Sequence, residues 1–335
     1  MNKSLISKEF QSKKENYNRL GKNIVEALKM FLDEAGIPVL EVYYRVKKFD
    51  SFFEKIDRKG YKDPFTEIED ICGIRVICYY ASDIEKIHDI INKEFKVLEQ
   101  QDKSELLGLK EFAYRSNHYI VGINEEWLRA PNYRNLDGLK SEIQVRTILM
   151  HAWAEIEHKL NYKSDAQVPS KFQRKLFRLS AKFEEADEQF EELKEGIEEY
   201  ITSLRAKVSK SKKFKLDQDF NIESYKAFIH FHFPSDPLDD FRVNHNFEEY
   251  SKYDKDFRIL DNALQIMKPY LEEVAEDLRK SGYANDIIEI PSEFLGFSMD
   301  VVDDESFNRR KGTNKEWRDV VVKWRKKIKK AGNNK

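Results

Sequence analysis

Apolar and polar residues follow several different spacings along the first half of the chain, and each spacing predicts a different element. Residues 7–34 have apolar side chains at helical spacing, and Gly36 and Pro38 end that pattern. The strand predicted at 70–80 is apolar on both faces, which is typical of a central buried strand. Alternating or continuous apolar runs predict four strands in all, at 38–47, 70–80, 118–123 and 141–147.

Helical patterns at 51–60 and 83–95 lie between these strands. Strands interleaved with helices predict an α+β domain with a mixed β-sheet flanked by helices. From Phe172 to Leu204 the apolar positions then step alternately by three and four residues, which is a heptad pattern. We expect a long amphipathic helix there, which either packs on its own domain or forms a contact between copies of the chain.

These patterns divide the chain into six predicted segments. The basic run at 207–215 indicates an exposed linker, and an α-rich region follows it. In that region, His230 and His232 are predicted to share a strand face, which favours a hydrogen-bonded polar face over a metal site. The segments are an N-terminal helix at 1–37, a sheet-containing domain at 38–170, the heptad-patterned helix at 171–206, a basic linker at 207–217, a C-terminal region of unknown role at 218–308 and a basic amphipathic tail at 309–335.

The composition indicates a protein with a hydrophobic core and no membrane span. Of the 335 residues, 40% are hydrophobic and 36% are charged. No apolar run approaches the roughly 18 residues that a spanning helix needs, and no leader pattern is visible, so we expect a cytoplasmic protein. Cys72 and Cys78 lie around one predicted strand, which favours a buried reduced pair over a disulfide or a metal site.

Charge is distributed unevenly along the chain. The formal net charge is −2, but from Arg309 to the C-terminus there are twelve Lys or Arg and two acidic residues, a local balance of +10. A helix of this kind binds RNA, an acidic membrane surface, the acidic remainder of its own chain or another subunit, and the sequence leaves these partners open. An apolar stripe at helical spacing crosses the same segment, formed by Trp317, Val320, Val321, Trp324 and Ile328.

Charged side chains within the predicted strands suggest a chemical site. Arg75 lies in the most apolar strand, so it needs an anion, a carboxylate or an aromatic plane as its partner. A salt bridge to Asp70, just upstream, is one alternative, and a bound ligand is the other. Because side chains in a strand alternate between two faces, three polar residues of the last strand share one face. They are Glu142, Gln144 and Arg146.

Further cations gather near the first predicted strand and the helix after it. Four cations at one end of a sheet repel each other unless a polyanion such as a triphosphate lies among them. Asp70 and Glu142, from different strands, supply the hard oxygen ligands that Mg²⁺ needs when it bridges protein and phosphate. Together these residues predict a metal-dependent nucleotide site. The cations, with the serine that accompanies them, are Arg45, Lys47, Ser51, Lys55 and Arg58.

Four motifs occur in order along the chain: RVKKFDSFFEK at 45–55, DICGIR at 70–75, AYRSNH at 113–118 and EIQVRTxxxHAWAExxH at 142–158. In order and spacing they resemble the synthetase domain of RelA/SpoT-type alarmone synthetases, over about residues 38–165, as in the short members with a single synthetase domain. The resemblance implies a nucleotidyltransferase-like fold and a Mg²⁺-dependent transfer of pyrophosphate from ATP to the 3′-hydroxyl of GDP or GTP. The products would be the alarmone (p)ppGpp and AMP.

The resemblance also implies which residues bind ATP and the metal ion. Arg45 and Arg75 would sandwich the adenine, which accounts for a buried arginine through stacking on an aromatic face. Asp70 and Glu142 would bind Mg²⁺. Glu142 would also activate the acceptor hydroxyl, as a base or by orienting it. The phosphates of ATP would be held by Lys47, Ser51 and Lys55.

The acceptor site implied by the resemblance is less closely matched to the family pattern. Tyr114 would stack on the acceptor base, but Ala113 stands before it where the family usually has glycine. The preceding DKSELLGLKEF also lacks the Pro-Lys-x-Asn run that is common there. The other residues implied to contact the acceptor are Arg115, His118, Gln144 and Arg146.

These departures leave other functions open. Some short family members are toxins that pyrophosphorylate the 3′-CCA end of tRNA, and others make adenosine alarmones. A catalytically silent regulator that senses nucleotide is a further alternative. We therefore expect ATP and GDP or GTP as partners, with tRNA or other RNA as an alternative partner of the basic tail. The heptad pattern also allows a homo-oligomer through residues 172–204.

Overall fold

The structure is a computed structural model that describes residues 2–102, 117–161, 169–211, 213–236, 238, 240–253, 255–283, 287, 291–309 and 314–332. Its chain divides into a first unit, Met1–Glu195, and a second unit, Gly196–Lys335. In the described residues the first unit contains a β-sheet and the second is helical. None of the helices in these ranges is both long enough and apolar enough to cross a bilayer.

The first unit alternates helices and strands. Two single-turn 3₁₀ helices, Trp127–Arg129 and Pro131–Tyr133, precede its last strand. Helix α6 begins in this unit and ends in the second. The elements are α1 (Lys3–Glu34), β1 (Val39–Val46), α2 (Phe49–Lys59), α3 (Pro64–Glu67), β2 (Cys72–Cys78), α4 (Ser82–Glu94), β3 (Lys96–Asp102), β4 (Asn117–Gly122), β5 (Ser141–Thr147), α5 (Ile148–Asn161) and α6 (Ser170–Lys210).

The five strands form one mixed sheet in the order β1-β2-β5-β4-β3. β2 and β5 are parallel, and the other neighbouring pairs are antiparallel. β2 lies between β1 and β5, as its apolar faces predict, and the predicted α+β class with a mixed sheet is confirmed. The sequence pattern missed β3, because residues 99–102 of this edge strand are all polar and show no alternation.

Helix α1 covers one face of the sheet. Leu20, Ile24 and Leu28 repeat at helical spacing and are fully buried in the core that α1 shares with β1, β2 and β5. Gly21 allows the close approach of helix and sheet, because a Cβ at this position would lie 2.4 Å from Cδ2 of Tyr44. The charged side chains of the strands are therefore directed to the opposite face.

Both cysteines lie in β2, and both are free and buried. Burial raises the pKa of the Cys72 thiol to about 11 and that of the Cys78 thiol to about 12. The predicted buried, reduced pair is confirmed, and these thiols stay protonated at neutral pH.

The second unit is built from helices, which confirms the predicted α-rich C-terminal region. Its core is rich in aromatic side chains, and Phe228, Phe257, Phe294 and Phe297 are fully buried in it. Helix α6 reaches Lys210, inside the predicted linker, and Val208 packs against this core. The other helices are α7 (Ile222–His232), α8 (Asp240–Lys252), α9 (Phe257–Met267), α10 (Leu271–Ser281), α11 (Pro291–Val302), α12 (Asp304–Arg309) and α13 (Lys315–Gly332).

The predicted strand around His230 and His232 is wrong, because both residues lie in the helix α7. The apolar spacing of this short segment fits both a strand and a helix. The N-terminal capping box of α7, made by Asn221 and Ser224, stabilises the helix. His232 is buried, with its Nε2 3.3 Å from Oδ1 of Asp261. His232 therefore contacts a carboxylate of the neighbouring helix α9.

The basic tail forms α13 and packs within the second unit. Trp317, Val320, Val321 and Trp324 are buried in its core, and Ile328 packs at the edge of that core. Two of its lysines reach acidic residues of α10, with Lys323 Nζ 2.8 Å from Asp277 and Lys327 Nζ 2.6 Å from Glu273. Among the partners that the sequence left open, the apolar stripe of α13 therefore packs against its own chain.

Candidate active site

Polar side chains from four strands lie on the sheet face opposite α1. Residues that pair across neighbouring strands form a row on one face of the sheet. Because residues two apart on a strand share a face, the row two residues further along projects to the same side. The parallel pairing of β2 with β5 places Glu142 directly beside Gly73. Two such rows cross the sheet, one formed by Arg45, Gly73 and Glu142 and the next by Tyr43, Arg75, Gln144 and His118.

A cavity of about 250 Å³ lies over these rows. Gly73 has no side chain, so the floor of the cavity between Arg45 and Glu142 is backbone. Helix α5 contributes one wall through Glu155. The lining residues are Tyr43, Arg45, Lys47, Asp70, Gly73, Ile74, Arg75, Glu142, Gln144 and Glu155.

At one side of the cavity, two lysines share one carboxylate. Lys47 Nζ donates to Oδ2 of Asp70 at 2.8 Å, and Lys55 Nζ lies 3.0 Å from Oδ1 of the same residue. The three side chains are 19–25% exposed, so solvent reaches them only in part. Two ammonium groups around one carboxylate leave a net positive charge, which favours an anionic ligand such as phosphate.

Glu142 has both carboxylate oxygens held by neighbours on the same sheet face. Nδ1 of His118 lies 2.7 Å from Oε1, and Nε2 of Gln144 donates to Oε2 at 2.8 Å. The side chain of His118 is 6% exposed and that of Glu142 is 17% exposed. A carboxylate fixed in this way is oriented to accept a proton from, or bind, a group that enters the cavity.

Arg75 is held by two groups that the sequence reasoning did not select. Its Nη1 donates to the hydroxyl of Tyr43 at 2.9 Å and to Oε1 of Glu155 at 2.6 Å. Burial alone would lower the pKa of Arg75, but these two hydrogen bonds raise it above its usual value. The hydrogen bond from Arg75 in turn lowers the pKa of Glu155. The alternative of a salt bridge from Arg75 to Asp70 does not occur, since Asp70 pairs with the two lysines.

Further along β5 and α5, burial acts on two cationic groups. Burial first, and repulsion from Arg75 second, lower the pKa of Arg146 and of His151. Arg146 Nε and His151 Nδ1 are buried without a hydrogen-bond partner in the described residues, and so is Oε1 of Gln144. Unpaired buried polar atoms are costly, so these atoms mark where a ligand would complete the hydrogen bonding.

The structure brings most of the predicted site residues together. Ser51 and Arg58 are exposed on α2, and Tyr114 and Arg115 lie outside the described residues. Tyr43 and Glu155 were missed, although Tyr43 precedes Arg45 by two residues on the same strand face and Glu155 lies one helical turn after His151. The predicted residues that line the cavity or contact its lining are Arg45, Lys47, Lys55, Asp70, Arg75, His118, Glu142 and Gln144.

The donor set suits a magnesium ion. Asp70 and Glu142 provide carboxylate oxygens to one cavity, beside lysines that attract phosphate. Mg²⁺ binds one or two protein carboxylates and completes its shell with water and substrate phosphates, so two carboxylates are sufficient. No three His, Cys, Asp or Glu side chains converge to hold a metal within the ranges that the structure describes, and two-carboxylate binding does not require them.

Comparison with known proteins agrees with this geometry. Residues 44–167 match the family model described as a region found in RelA/SpoT proteins. The chain is 34% identical over 167 residues to the GTP pyrophosphokinase YjbM of Bacillus subtilis, covering 48% of this chain and 75% of that protein. It is 34% identical over 143 residues to the GTP pyrophosphokinase YwaC of the same organism, covering 39% of this chain and 62% of that protein.

A similar solved structure is the small alarmone synthetase 1 from Bacillus subtilis. It is 30% identical in sequence, and the match covers 57% of this chain and 98% of that chain with a TM-score of 0.49. The matched region of the family model begins in β1 and ends after α5, so it contains every lining residue of the cavity except Tyr43.

Proposed function

The chain belongs to the RelA/SpoT family, and from this membership and the cavity geometry we propose that it transfers pyrophosphate from ATP to the 3′-hydroxyl of GDP or GTP. The acceptor oxygen attacks the β-phosphorus of ATP, the bond from that phosphorus to the α,β-bridging oxygen breaks, and AMP leaves. The observation that carries the proposal is the pairing, in one cavity, of an oriented carboxylate at Glu142 with the positive cluster of Lys47, Lys55 and Asp70.

ATP binds at the basic side of the cavity. Lys47 and Lys55 turn from Asp70 to the phosphates of ATP, which offer more negative charge than one carboxylate. Ser51, exposed on the same helix as Lys55, adds a hydroxyl donor. Arg45 and Arg75 stack on the adenine, and Tyr43 and Glu155 fix the plane of the Arg75 guanidinium before ATP arrives.

Glu142 accepts the proton of the 3′-hydroxyl as the oxygen attacks. His118 and Gln144 hold its two oxygens, so little reorientation is required when the acceptor is in line with the leaving AMP. Asp70 and Glu142 would hold Mg²⁺, which, when bound, supplies positive charge to the pyrophosphoryl oxygens. Positioning and charge neutralisation account for most of the rate in such a reaction.

The acceptor nucleotide binds along the rest of the sheet face. The buried, unpaired atoms Gln144 Oε1 and Arg146 Nε support an acceptor contact there. Tyr114 and Arg115 would reach the same nucleotide by stacking and by charge, as the family pattern implies. GDP and GTP are proposed as acceptors because YjbM and YwaC are both named GTP pyrophosphokinases.

The test is to incubate the full chain with Mg²⁺, ATP labelled on its γ-phosphate and either GDP or GTP. We expect label to move to the guanosine nucleotide, with one AMP released for each product. Parallel reactions contain an adenosine nucleotide or tRNA as acceptor, and the Glu142→Gln chain is the inactive control. Absence of AMP with every acceptor would exclude the proposed pyrophosphate transfer. Label on tRNA, with GDP and GTP unmodified, would show that tRNA is the acceptor.

A further inference from the structure

A cavity of about 400 Å³ lies within the second unit and is lined by one face of α8, by α11, by Tyr283 after α10 and by the beginning of α13. Small-molecule sites in proteins are typically cavities of about 300–1,000 Å³, and helical folds form them between helices. All of the lining residues belong to the second unit, whereas the candidate active site belongs to the first. We call this cavity the second-unit cavity.

The described lining of the second-unit cavity includes four ring side chains. Phe241 is 81% exposed, and the ring of His245, one helical turn later, is nearly parallel to it, with an interplanar angle of 7° and ring centroids 6.5 Å apart. The rings of Tyr283 and Trp317 are in contact, with centroids 5.1 Å apart. Because aromatic rings stack on planar groups, a planar ligand that lies against these rings would also cover the exposed Phe241.

Arg242 is held in place beside the rings. Its Nη1 lies 3.2 Å from Oε1 of Glu293, and the hydroxyl of Tyr283 donates to Oε2 of the same carboxylate at 3.3 Å. The side chain of Glu293 is 14% exposed and that of Arg242 is 36% exposed. A guanidinium has five N–H donors in a planar fork, so Arg242 can keep Glu293 and also bind an anionic group of a ligand.

Glu249 lies on the same face of α8, two helical turns after Arg242 and therefore about 10 Å further along the helix axis. A carboxylate only accepts hydrogen bonds, so Glu249 suits a ligand edge that carries N–H or O–H donors. Asn314 caps α13 with its Oδ1, which accepts the backbone N–H of Glu316 at 2.8 Å and that of Trp317 at 3.2 Å. The amide nitrogen of Asn314 is therefore the atom that can donate to a ligand.

We propose that the second-unit cavity binds a purine nucleoside monophosphate. The phosphate pairs with Arg242, the purine packs against Phe241 and the other rings, and Glu249 accepts hydrogen bonds from the amino edge of the base. In such a nucleotide the phosphate and the base edge lie at opposite ends of the molecule. The order of Arg242, His245 and Glu249 along α8 matches this arrangement, with the anion-binding group first, a ring next and the acceptor last.

Other ligands fit these groups less well. An inorganic phosphate would pair with Arg242 but would leave the rings exposed. An α-amino acid carries its ammonium and carboxylate groups on one carbon, so it does not reach Arg242 and Glu249 at once. A triphosphate needs more cations, and the lining that the structure describes contains one arginine and no lysine beside two carboxylates.

The test is equilibrium dialysis of the full chain against radiolabelled AMP or GMP. The chain carries Arg45→Ala/Lys47→Met, because these changes remove contacts from the cavity proposed for ATP. We expect one equivalent of AMP or GMP to be retained, and the comparison shows which base is preferred. Adenosine, which lacks the phosphate, and ribose 5-phosphate, which lacks the base, should each bind at least about tenfold more weakly.

Two variants remove ligand contacts outside the core of the second unit. Phe241→Ser removes a stacking ring at an exposed position and should weaken nucleotide binding about tenfold or more. Glu249→Gln keeps the size of the side chain but replaces one acceptor oxygen by a donor, and it should weaken binding about tenfold. The matched controls are Ile259→Ser, at a 37% exposed position of α9, and Glu248→Gln, at the exposed neighbour of Glu249. Both controls should bind like the chain without these changes.

Hydrogen exchange of the same chain locates the bound nucleotide. A ligand that binds only the folded state lowers the unfolded population by the factor 1 + [L]/Kd, so AMP at about 100 times its Kd should slow exchange through unfolding of the second unit about 100-fold. Peptides of α8, α11 and the beginning of α13 report this protection, and Phe241→Ser should reduce it at the same AMP concentration. The measurement needs no turnover, so it is independent of whether the chain transfers pyrophosphate.

Three results would overturn the proposal. The first is a chain that retains no AMP or GMP, or retains them equally well with Phe241→Ser and with Glu249→Gln. The second is equal binding of ribose 5-phosphate and AMP, which would indicate an anion site without base recognition. The third is protection confined to peptides of the first unit, which would assign the bound nucleotide to the candidate active site.

Discussion

Nδ1 of His118 lies 2.7 Å from Oε1 of Glu142, across the boundary between β4 and β5. The register of the two strands sets this distance, because His118 is the direct neighbour of Gln144, two residues from Glu142. Within β5, Gln144 lies two residues from Glu142 on the same face, and its amide donates to the other carboxylate oxygen. The Glu142 carboxylate is thus positioned by the sheet.

Replacing Glu142 tests its role directly. Glu142→Gln keeps the size of the side chain and one acceptor oxygen, but it replaces the other oxygen by an NH2 donor and removes the charge and the ability to accept a proton. We expect nucleotide binding to persist, while AMP release under saturating substrates falls by at least about 10³-fold. Glu85→Gln, at an exposed position of α4, is the control and should leave turnover unchanged. Near-normal turnover in Glu142→Gln would show that the catalytic carboxylate lies elsewhere.

The two lysines on Asp70 should act on one substrate only. Lys47→Met and Lys55→Met each remove a charge-assisted contact, worth about 1.5–3 kcal/mol, so the KM for ATP should rise about tenfold or more. The KM for the acceptor should change little. Lys48→Met is the matched control, because Lys48 is adjacent but exposed. Equal increases in both KM values would contradict the assignment of these lysines to ATP.

Glu155 and Tyr43 are expected to act through Arg75. Glu155→Gln keeps a hydrogen-bond acceptor but removes the negative charge, and Tyr43→Phe removes the hydroxyl that accepts from Arg75. We expect each variant to raise the KM for ATP several-fold with kcat nearly unchanged, because the guanidinium is less firmly oriented. Initial-rate measurements with each substrate varied in turn check this. A loss of kcat with KM unchanged would indicate contact with the reacting atoms.

The sequence predicted the sheet and much of the candidate site because both depend on short-range spacing. The alternation in β5 was enough to put Glu142, Gln144 and Arg146 on one face, and the apolar run of β2 was enough to place that strand inside the sheet. Partners across the sheet depend on strand order and register, which spacing does not contain. The pairing of Arg75 with Glu155, 80 residues apart in sequence, was therefore missed.

In the C-terminal half, the sequence pattern does not show which apolar stripes are buried. The stripe on α13 and the stripe on α6 look alike in sequence, since each is an amphipathic helix with flanking charges. In the structure the first is buried, whereas Phe172, Leu179, Phe190 and Leu193 of the second are exposed. Which apolar stripe is buried depends on how the other helices pack, and several short helices with similar apolar patterns allow many arrangements. The strand prediction around His232 was wrong for a related reason, because the apolar spacing there fits more than one secondary structure.

Trp324 tests the structural role of the basic tail. Its side chain is 1% exposed, and its indole N–H donates to Oδ2 of Asp277 at 2.9 Å. We expect Trp324→Ala to destabilise the second unit by about 3–5 kcal/mol, through the cavity that it leaves and the hydrogen bond to Asp277 that is lost. Lys326→Ala, at an exposed position of the same helix, should have an effect within about 0.5 kcal/mol.

The measurement for Trp324 is hydrogen exchange of α10 and α11 peptides across a urea series. Removal of the whole tail after Phe307 should expose the same core and unfold the second unit, because four buried apolar side chains leave with it. If the second unit of the truncated chain keeps its protected amides, α13 is not part of its core.

His232 should make the stability of the second unit depend on pH. Burial, opposed by Asp261 and assisted by Lys268, lowers the pKa of His232 from 6.5 to about 4. Between these two values the unfolded chain binds a proton that the folded chain excludes, so the free energy of unfolding falls as the pH falls from about 6.5 to about 4. Above that window the contribution is constant. On the order of 1–3 kcal/mol should be lost across the window.

His232→Gln removes this proton site, so the pH dependence of unfolding should become shallower even if the variant is less stable overall. The measurement is hydrogen exchange of α7 and α9 peptides in urea, at a series of pH values from neutral to about 4. His245→Gln, at an exposed histidine of α8, is the matched control and should keep the slope of the original chain. A slope unchanged by His232→Gln, or a second unit that grows more stable toward acid pH, would contradict the buried neutral histidine, because only a group that resists protonation in the folded state gives this sign.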